Sequence, residues 1–146
     1  QTDAACKIRL TDSGLMDFKV AASGSADAAI TWLTSLQITA DGRGLSQFTA
    51  KAWVHFNGSS TVAIRDSHNV SSITDLGTGQ YLVNFSNNLA NGNFSAVANA
   101  ELAVSIQDAY TSANGSDFTT SRFKILHYEN NGTQDSAYIT GIAFGD

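Results

Sequence analysis

The sequence predicts an all-β chain, an antiparallel β-sandwich preceded by a short β-rich segment. From residue 50 onward, apolar and polar side chains alternate at period two, the repeat of a strand with one buried face. Asn-Gly pairs and single glycines separate the alternating runs at short spacing, as antiparallel strands require. The 146 residues contain no proline, so nearly every backbone N–H is free to enter a ladder. No long stretch carries an apolar helical stripe with caps.

The strands follow in order. In AKAWVHF, Ala52, Val54 and Phe56 share one face while Trp53 and His55 share the other. QYLVNF puts Tyr81, Val83 and Phe85 together. FSAVANAELAVSI reads as one long strand, with Phe94, Ala96, Ala98, Ala100, Leu102, Val104 and Ile106 on its core side. RFKILHY sets Phe123 and Ile125 against Lys124, and AYITGIAF carries two apolar faces, the pattern of a strand covered on both sides. Turns are expected at 57–60, 75–80, 87–93, 113–117 and 130–135.

Residues 1–49 have another rhythm. Brief apolar groups, Leu15 with Phe18 and Val20, Ile30 with Trp32, and Leu36 with Ile38, are broken by SGS and DGRG. Each is too short to cover a core alone. Such pieces gain stability by stacking on neighbours or on identical chains. The expected boundary therefore divides 1–49 from a head at 50–146.

Composition narrows the function. Apolar residues make up 42 % of the chain and charged ones 14 %, against about 25 % charged in an average domain. Polarity therefore comes from Ser, Thr, Asn, Gln and Gly. A net charge of −5 with eight Lys and Arg provides no basic stripe for phosphates, which argues against nucleic acid and against an anionic membrane surface. No window approaches the roughly 18 to 20 apolar residues of a membrane span, and no signal-peptide pattern is present. A chain that opens on Gln1 fits the mature part of a secreted protein or the C-terminal part of a longer one. Cys6 is the single cysteine, expected as a small buried thiol.

The window KAWVHFNGSSTVAIRDSHNVSSI concentrates histidine, arginine, aspartate and serine. A Ser-His-Asp site needs its three side chains to converge, yet neighbours on a strand point to opposite faces, so Ser67 and His68 diverge. The residues read instead as a tied strand end, with Asp66 and Asn69 bonding nearby backbone groups. His55, His68 and His127 lack zinc-ligand spacing, and ENNGTQD lacks the ligand positions of a calcium loop. No metal and no cofactor are expected. Six Asn-x-Ser/Thr sequons, at Asn57, Asn69, Asn84, Asn93, Asn114 and Asn131, read mostly as turns and sheet-face polar residues. The candidate binding surface is QDAYTSANGSDFTTS, residues 107–121, taken as the longest turn-rich connection. It offers Tyr110 to stack on a sugar and Asn114, Ser116 and Asp117 for hydrogen bonds.

The stretch from Lys51 to Ala100 resembles the C-terminal head of bacteriophage tail-fibre and related receptor-binding proteins. The likeness lies in Lys51-Ala52-Trp53-Val54, the Phe-Asn-Gly turn at 56–58, Arg65-Asp66, Asn69 to Ile73, and Gly79, Tyr81, Val83, Asn84 and Phe85. The closing TTSRFKILHYENNGTQDSAYITGIAFGD also looks like that family's last hairpin, so the resemblance covers about residues 50 to 146, and residues 1–49 look like its stalk-to-head junction. It implies an intertwined homotrimeric tip on a virion that holds a host-surface glycan or protein, alongside other tail components, with no catalysis. The alternatives are a structural head fibre or decoration protein, and a glycan-degrading tailspike using two carboxylates.

Overall fold

The computed structural model describes residues 4–46, 48–102, 105–111, 117–129 and 132–145, with the backbone alone at 102, 105–111 and 129. Among these residues every regular element is a strand, and all strand pairs are antiparallel. The chain forms two compact units, Gln1–Thr49 and Ala50–Asp146.

In the first unit, β1 (Ala5–Leu10), β2 (Met16–Ala21), β3 (Leu33–Ile38) and β4 (Gly44–Leu45) form a sheet in sequence order. One turn is used twice. In Thr11–Leu15 the hydroxyl of Thr11 accepts the Leu15 N–H at 3.1 Å and its carbonyl accepts the N–H of Gly14 at 3.0 Å. In Thr39–Arg43 the corresponding bonds, from Arg43 and Gly42, are 3.1 and 2.8 Å. Gly14 and Gly42 sit at φ 77° and 82°, where a side chain would strain the backbone.

The register sorts this sheet into two unlike sides. Cys6, Ile8 and Leu10 pair with Val20, Phe18 and Met16, and those with Leu33, Leu36 and Ile38, so one side is wholly apolar. The other side centres on Asp17, whose side chain is fully buried. Its carboxylate accepts hydrogen bonds from Arg9 Nε at 2.9 Å and Gln37 Nε2 at 2.7 Å, with Lys19 Nζ 3.7 Å away. The brief apolar groups of the sequence are thus the alternate positions of a charged ladder. Cys6 is exposed, not buried, because it lies on the edge strand β1, whose apolar side no other described strand of this unit covers.

The second unit contains β5 (Ala50–Asn57), β6 (Ala63–His68), β7 (Val70–Gly77), β8 (Gln80–Phe85), β9 (Ser95–Leu102), β10 (Ser105–Thr111), β11 (Arg122–Glu129), β12 (Gly132–Thr133) and β13 (Tyr138–Phe144). The sheet runs β6-β5-β13-β9-β10-β11-β8-β7, and β12 pairs with β11. It folds over so that its inner faces meet. A Cβ on Gly141 of β13 would stand 2.9 Å from Ile125 Cδ1 of β11, and Phe56 of β5 meets Tyr81 of β8 edge to face at 5.2 Å. Ala52, Val54, Phe56, Tyr81, Val83, Phe123, Ile125, Ile139 and Ala143 are buried between the layers. Phe85, Phe94, Phe118 and Phe123 close one end of this core.

Two crossings join the layers. β10 pairs with β9 through Ser105–Ala109 and with β11 through Ala109–Thr111. At the other edge Asn69 alone separates β6 from β7, at φ 55°. The run 94–106 is therefore not one strand: Ser105 turns back to pair with Leu102. Residues 107–111 likewise lie within β10, so the surface expected as a loop begins as a strand. β13 is covered on one face only, with Ile139, Gly141 and Ala143 buried while Tyr138 and Phe144 are exposed.

A polar knot ties three loops. The Tyr81 hydroxyl, 2.6 Å from the Gly58 carbonyl oxygen and 2.9 Å from Asp135 Oδ1, donates to this pair, and Gly79 N–H reaches the same carboxylate at 2.7 Å. Burial, then the Asp135 carboxylate, pushes the phenol well above its usual range. Gly79 is at φ 66°, and a Cβ there would meet the backbone oxygens of Gln134 and His127 at 2.6 Å.

Gly79→Ala should therefore cost about 3 kcal/mol or more in a denaturant titration, whereas Gly92→Ala, which meets only ordinary contacts, should stay within about 0.5 kcal/mol. Asp17 is held below its ordinary 3.8, first by the Gln37 hydrogen bond and then by Arg9 and Lys19 against the opposing effect of burial. A depressed carboxyl stabilises the fold at neutral pH and loses that contribution as pH falls below 3.8. Acid titration followed by circular dichroism should show this loss in the parent chain and a smaller pH dependence in Asp17→Asn.

Candidate functional site

Because β5 buries Ala52, Val54 and Phe56, it must turn Trp53 and His55 outward. Register then decides their neighbours. Trp53 pairs with His68 of β6 and with Ile142 of β13, which pairs in turn with Val97 of β9. One step along, His55 pairs with Asp66 and Thr140, and Thr140 with Asn99. An apolar row and a polar row thus lie side by side on the outer face. Between them runs an open groove of about 230 Å³ lined by residues including Trp53, His55, Val97, Asn99, Thr140 and Ile142.

Arg65 and Tyr138 close one end. The Arg65 guanidinium lies 4.4 Å from the Tyr138 ring centroid, and Tyr138 stacks on His55 at 5.9 Å. Arg65 Nη1 donates to the Ala137 carbonyl and lies 3.4 Å from His55 Nε2. A cation over an aromatic face is attracted to its quadrupole, by about 0.5–1 kcal/mol at an exposed site such as this. The groove can offer an apolar floor to a flat ligand or to a protein face, with hydrogen-bonding groups along one edge.

The outer face of the opposite layer is different in kind. Asn84 Nδ2 donates to Ser72 Oγ at 3.1 Å and Thr74 Oγ1 at 3.0 Å, and Ser71 Oγ donates to the Asn84 and Phe85 carbonyls. Its polar groups bond one another.

The RDSHN stretch lies on β6. Ser67 pairs with Val54 and His68 with Trp53, so the two point apart as alternation requires. Asp66 Oδ1 accepts the Ser67 N–H at 2.8 Å. Asn69 Nδ2 donates to the Lys51 and Asn87 carbonyls, and its Oδ1 accepts the Asn87 N–H at 2.8 Å. These residues build a strand end. Among the described residues no three His, Cys, Asp or Glu side chains are grouped to hold a metal ion.

Of the sequence-predicted binding residues, the structure describes the backbone of Tyr110 and the side chain of Asp117. Tyr110 pairs through its backbone with Leu126 inside β10, Asn114 and Ser116 lie outside the described residues, and the Asp117 carboxylate is 3.7 Å from Lys124 Nζ. The neighbouring Phe118 stacks on Phe94 at 4.9 Å against the core. Three sequon amides are occupied: those of Asn57, Asn69 and Asn84 each donate hydrogen bonds within the fold. Asn114 and Asn131 lie outside the described residues. Within ENNGTQD, Glu129 of β11 pairs with Gly132 of β12, and Asp135 turns to Tyr81.

The outer groove was only half visible in sequence. Alternation turned Trp53 and His55 outward, but their partners come from β9 and β13 and are set by register alone. No family model, curated protein or solved structure matches the chain.

Since Val97 is 55 % exposed and faces away from the core, Val97→Lys should change the stability of a lone chain by no more than about 1 kcal/mol. Thermal melting of a dilute sample checks this. A larger loss there would mean that this face is already covered.

Proposed function

We propose that this chain is the outer, C-terminal part of a bacteriophage fibre. Residues 1–49 form the stalk-to-head junction and residues 50–146 a β-sandwich head, intertwined as a homotrimer. The tip attaches the virion to a host-surface glycan or protein and makes or breaks no bond. One structural observation carries the reading: the outer row of the second unit is apolar, with Val97 and Phe144 exposed and Trp53 and Ile142 half-buried beside them. A contiguous apolar field of this kind is a hallmark of a surface built to be covered. The resemblance of residues 50 to 146 to fibre heads supplies the identity of the covering copies and the attachment role.

In this reading the stretch from Tyr110 through Asn114, Ser116 and Asp117 faces the host. A surface with 14 % charged residues suits neutral, hydrated sugars. Individual contacts are weak, and three on one tip, repeated over several fibres, raise avidity by orders of magnitude through effective concentration.

Sedimentation equilibrium should give three times the 15.4 kDa chain mass, and the purified protein should compete with virions for adsorption to host cells. A stable single-copy mass overturns the proposal. A trimer that fails to compete at saturation points to a structural virion part, and new reducing ends from host polysaccharide would point to an enzyme.

A further inference from the structure

The sheet of the first unit separates oil from charge. By register its apolar side carries Cys6 and hydrocarbon side chains, and Ile8, Leu10 and Leu33 stand 65 %, 71 % and 67 % exposed on it. A groove of about 560 Å³ runs along it, lined by Cys6, Ile8, Phe18 and Val20 with Lys7, Lys19 and Ser35 beside them. On the reverse side Arg9, Lys19 and Gln37 converge on the buried Asp17 carboxylate. Slipping a strand by one residue would throw those charges onto the apolar side. The side that needs covering is therefore fixed by the lock on the other.

Area selects the occupant. Three six-residue strands present a field of about 20 Å by 15 Å, roughly 300 Å². Two such fields stacked face to face cover about 600 Å², half of what the smaller stable interfaces between independent bodies bury. A foreign protein docking here alone would be released quickly. Identical chains already held together elsewhere meet at high effective concentration, and for them so small a field is enough.

We propose that this face is a seam between copies of the chain, the β1–β3 sheets of the three copies turning their apolar sides inward to a shared axis. The inference rests on the oligomeric reading above and names the surface that reading leaves open. It also gives the exposed Cys6 a burial.

The test uses the full chain, sedimentation and the rate of Cys6 modification by a maleimide. A multi-copy mass is expected, with modification slowed about tenfold or more relative to dissociated protein. Leu10→Glu, at an exposed position, should keep the circular dichroism spectrum and the multi-copy mass, which is held elsewhere, and restore the fast thiol reaction. A multi-copy mass with Cys6 reacting at the free-thiol rate overturns the seam and leaves the fibre reading standing. A single-copy mass overturns both, and if Cys6 is then protected, the chain's own second unit covers the face.

Discussion

The head depends on a change of layer made in one residue. β6 ends at His68 and β7 begins at Val70, which leaves no loop in which to turn. Only a left-handed backbone turns so sharply, and asparagine is the side-chain-bearing residue that best tolerates it. Asn69 adopts that conformation and then spends its amide on the groups the crossing would orphan, the Lys51 and Asn87 carbonyls and the Asn87 N–H. Val70 can then enter the core directly, while β6 stays beside β5 in the other layer. The inner faces of the sheet meet because this edge and the β10 edge both fold.

Closing the core in this way leaves two outer faces of opposite character. Over β7 and β8, Asn84 and the hydroxyls of Ser72 and Thr74 satisfy one another. Over β5, β13 and β9, the outward positions hold Trp53, Ile142, Val97 and Phe144 beside the polar row of His55, Thr140 and Asn99. The first unit repeats the contrast in a single layer, with Asp17 and its partners on one side and Ile8, Leu10 and Leu33 on the other. Such pairing of a self-satisfied side with a bare one is what directs a surface toward a partner without spoiling solubility everywhere else.

Period two made β5, β8 and β11 legible residue by residue, because each has one buried face and a polar turn at its end. It failed at 94–106 for a physical reason. Pairing Ser105 with Leu102 exchanges the parity of the inward positions, yet Ala103 and Val104 carry none of the glycine or asparagine that marks a turn, so the alternation reads straight through. β13 was misjudged in another way: its outward residues are as apolar as its inward ones, and local pattern cannot tell a face covered by its own chain from one left bare. Around Asp17 the signal was present, since charges alternate with Cys6, Ile8 and Leu10 and again with Met16, Phe18 and Val20. Its meaning depended on the β1–β2 register, which brings Arg9 opposite Asp17. The groove was least legible, since Trp53, Val97 and Ile142 are far apart in the chain and become neighbours only across three strands.

β5, the head's opening strand, pairs along most of its length with β13, its closing one. During synthesis β5 must wait, with one edge unpaired, until nearly the whole head has left the ribosome. No prolyl isomerisation slows the chain, so the search for this distant pairing is itself the natural bottleneck. A head closed by its last strand becomes native late and all at once, and a truncated copy, lacking that strand, exposes the edge of β5 to whatever strand it meets first.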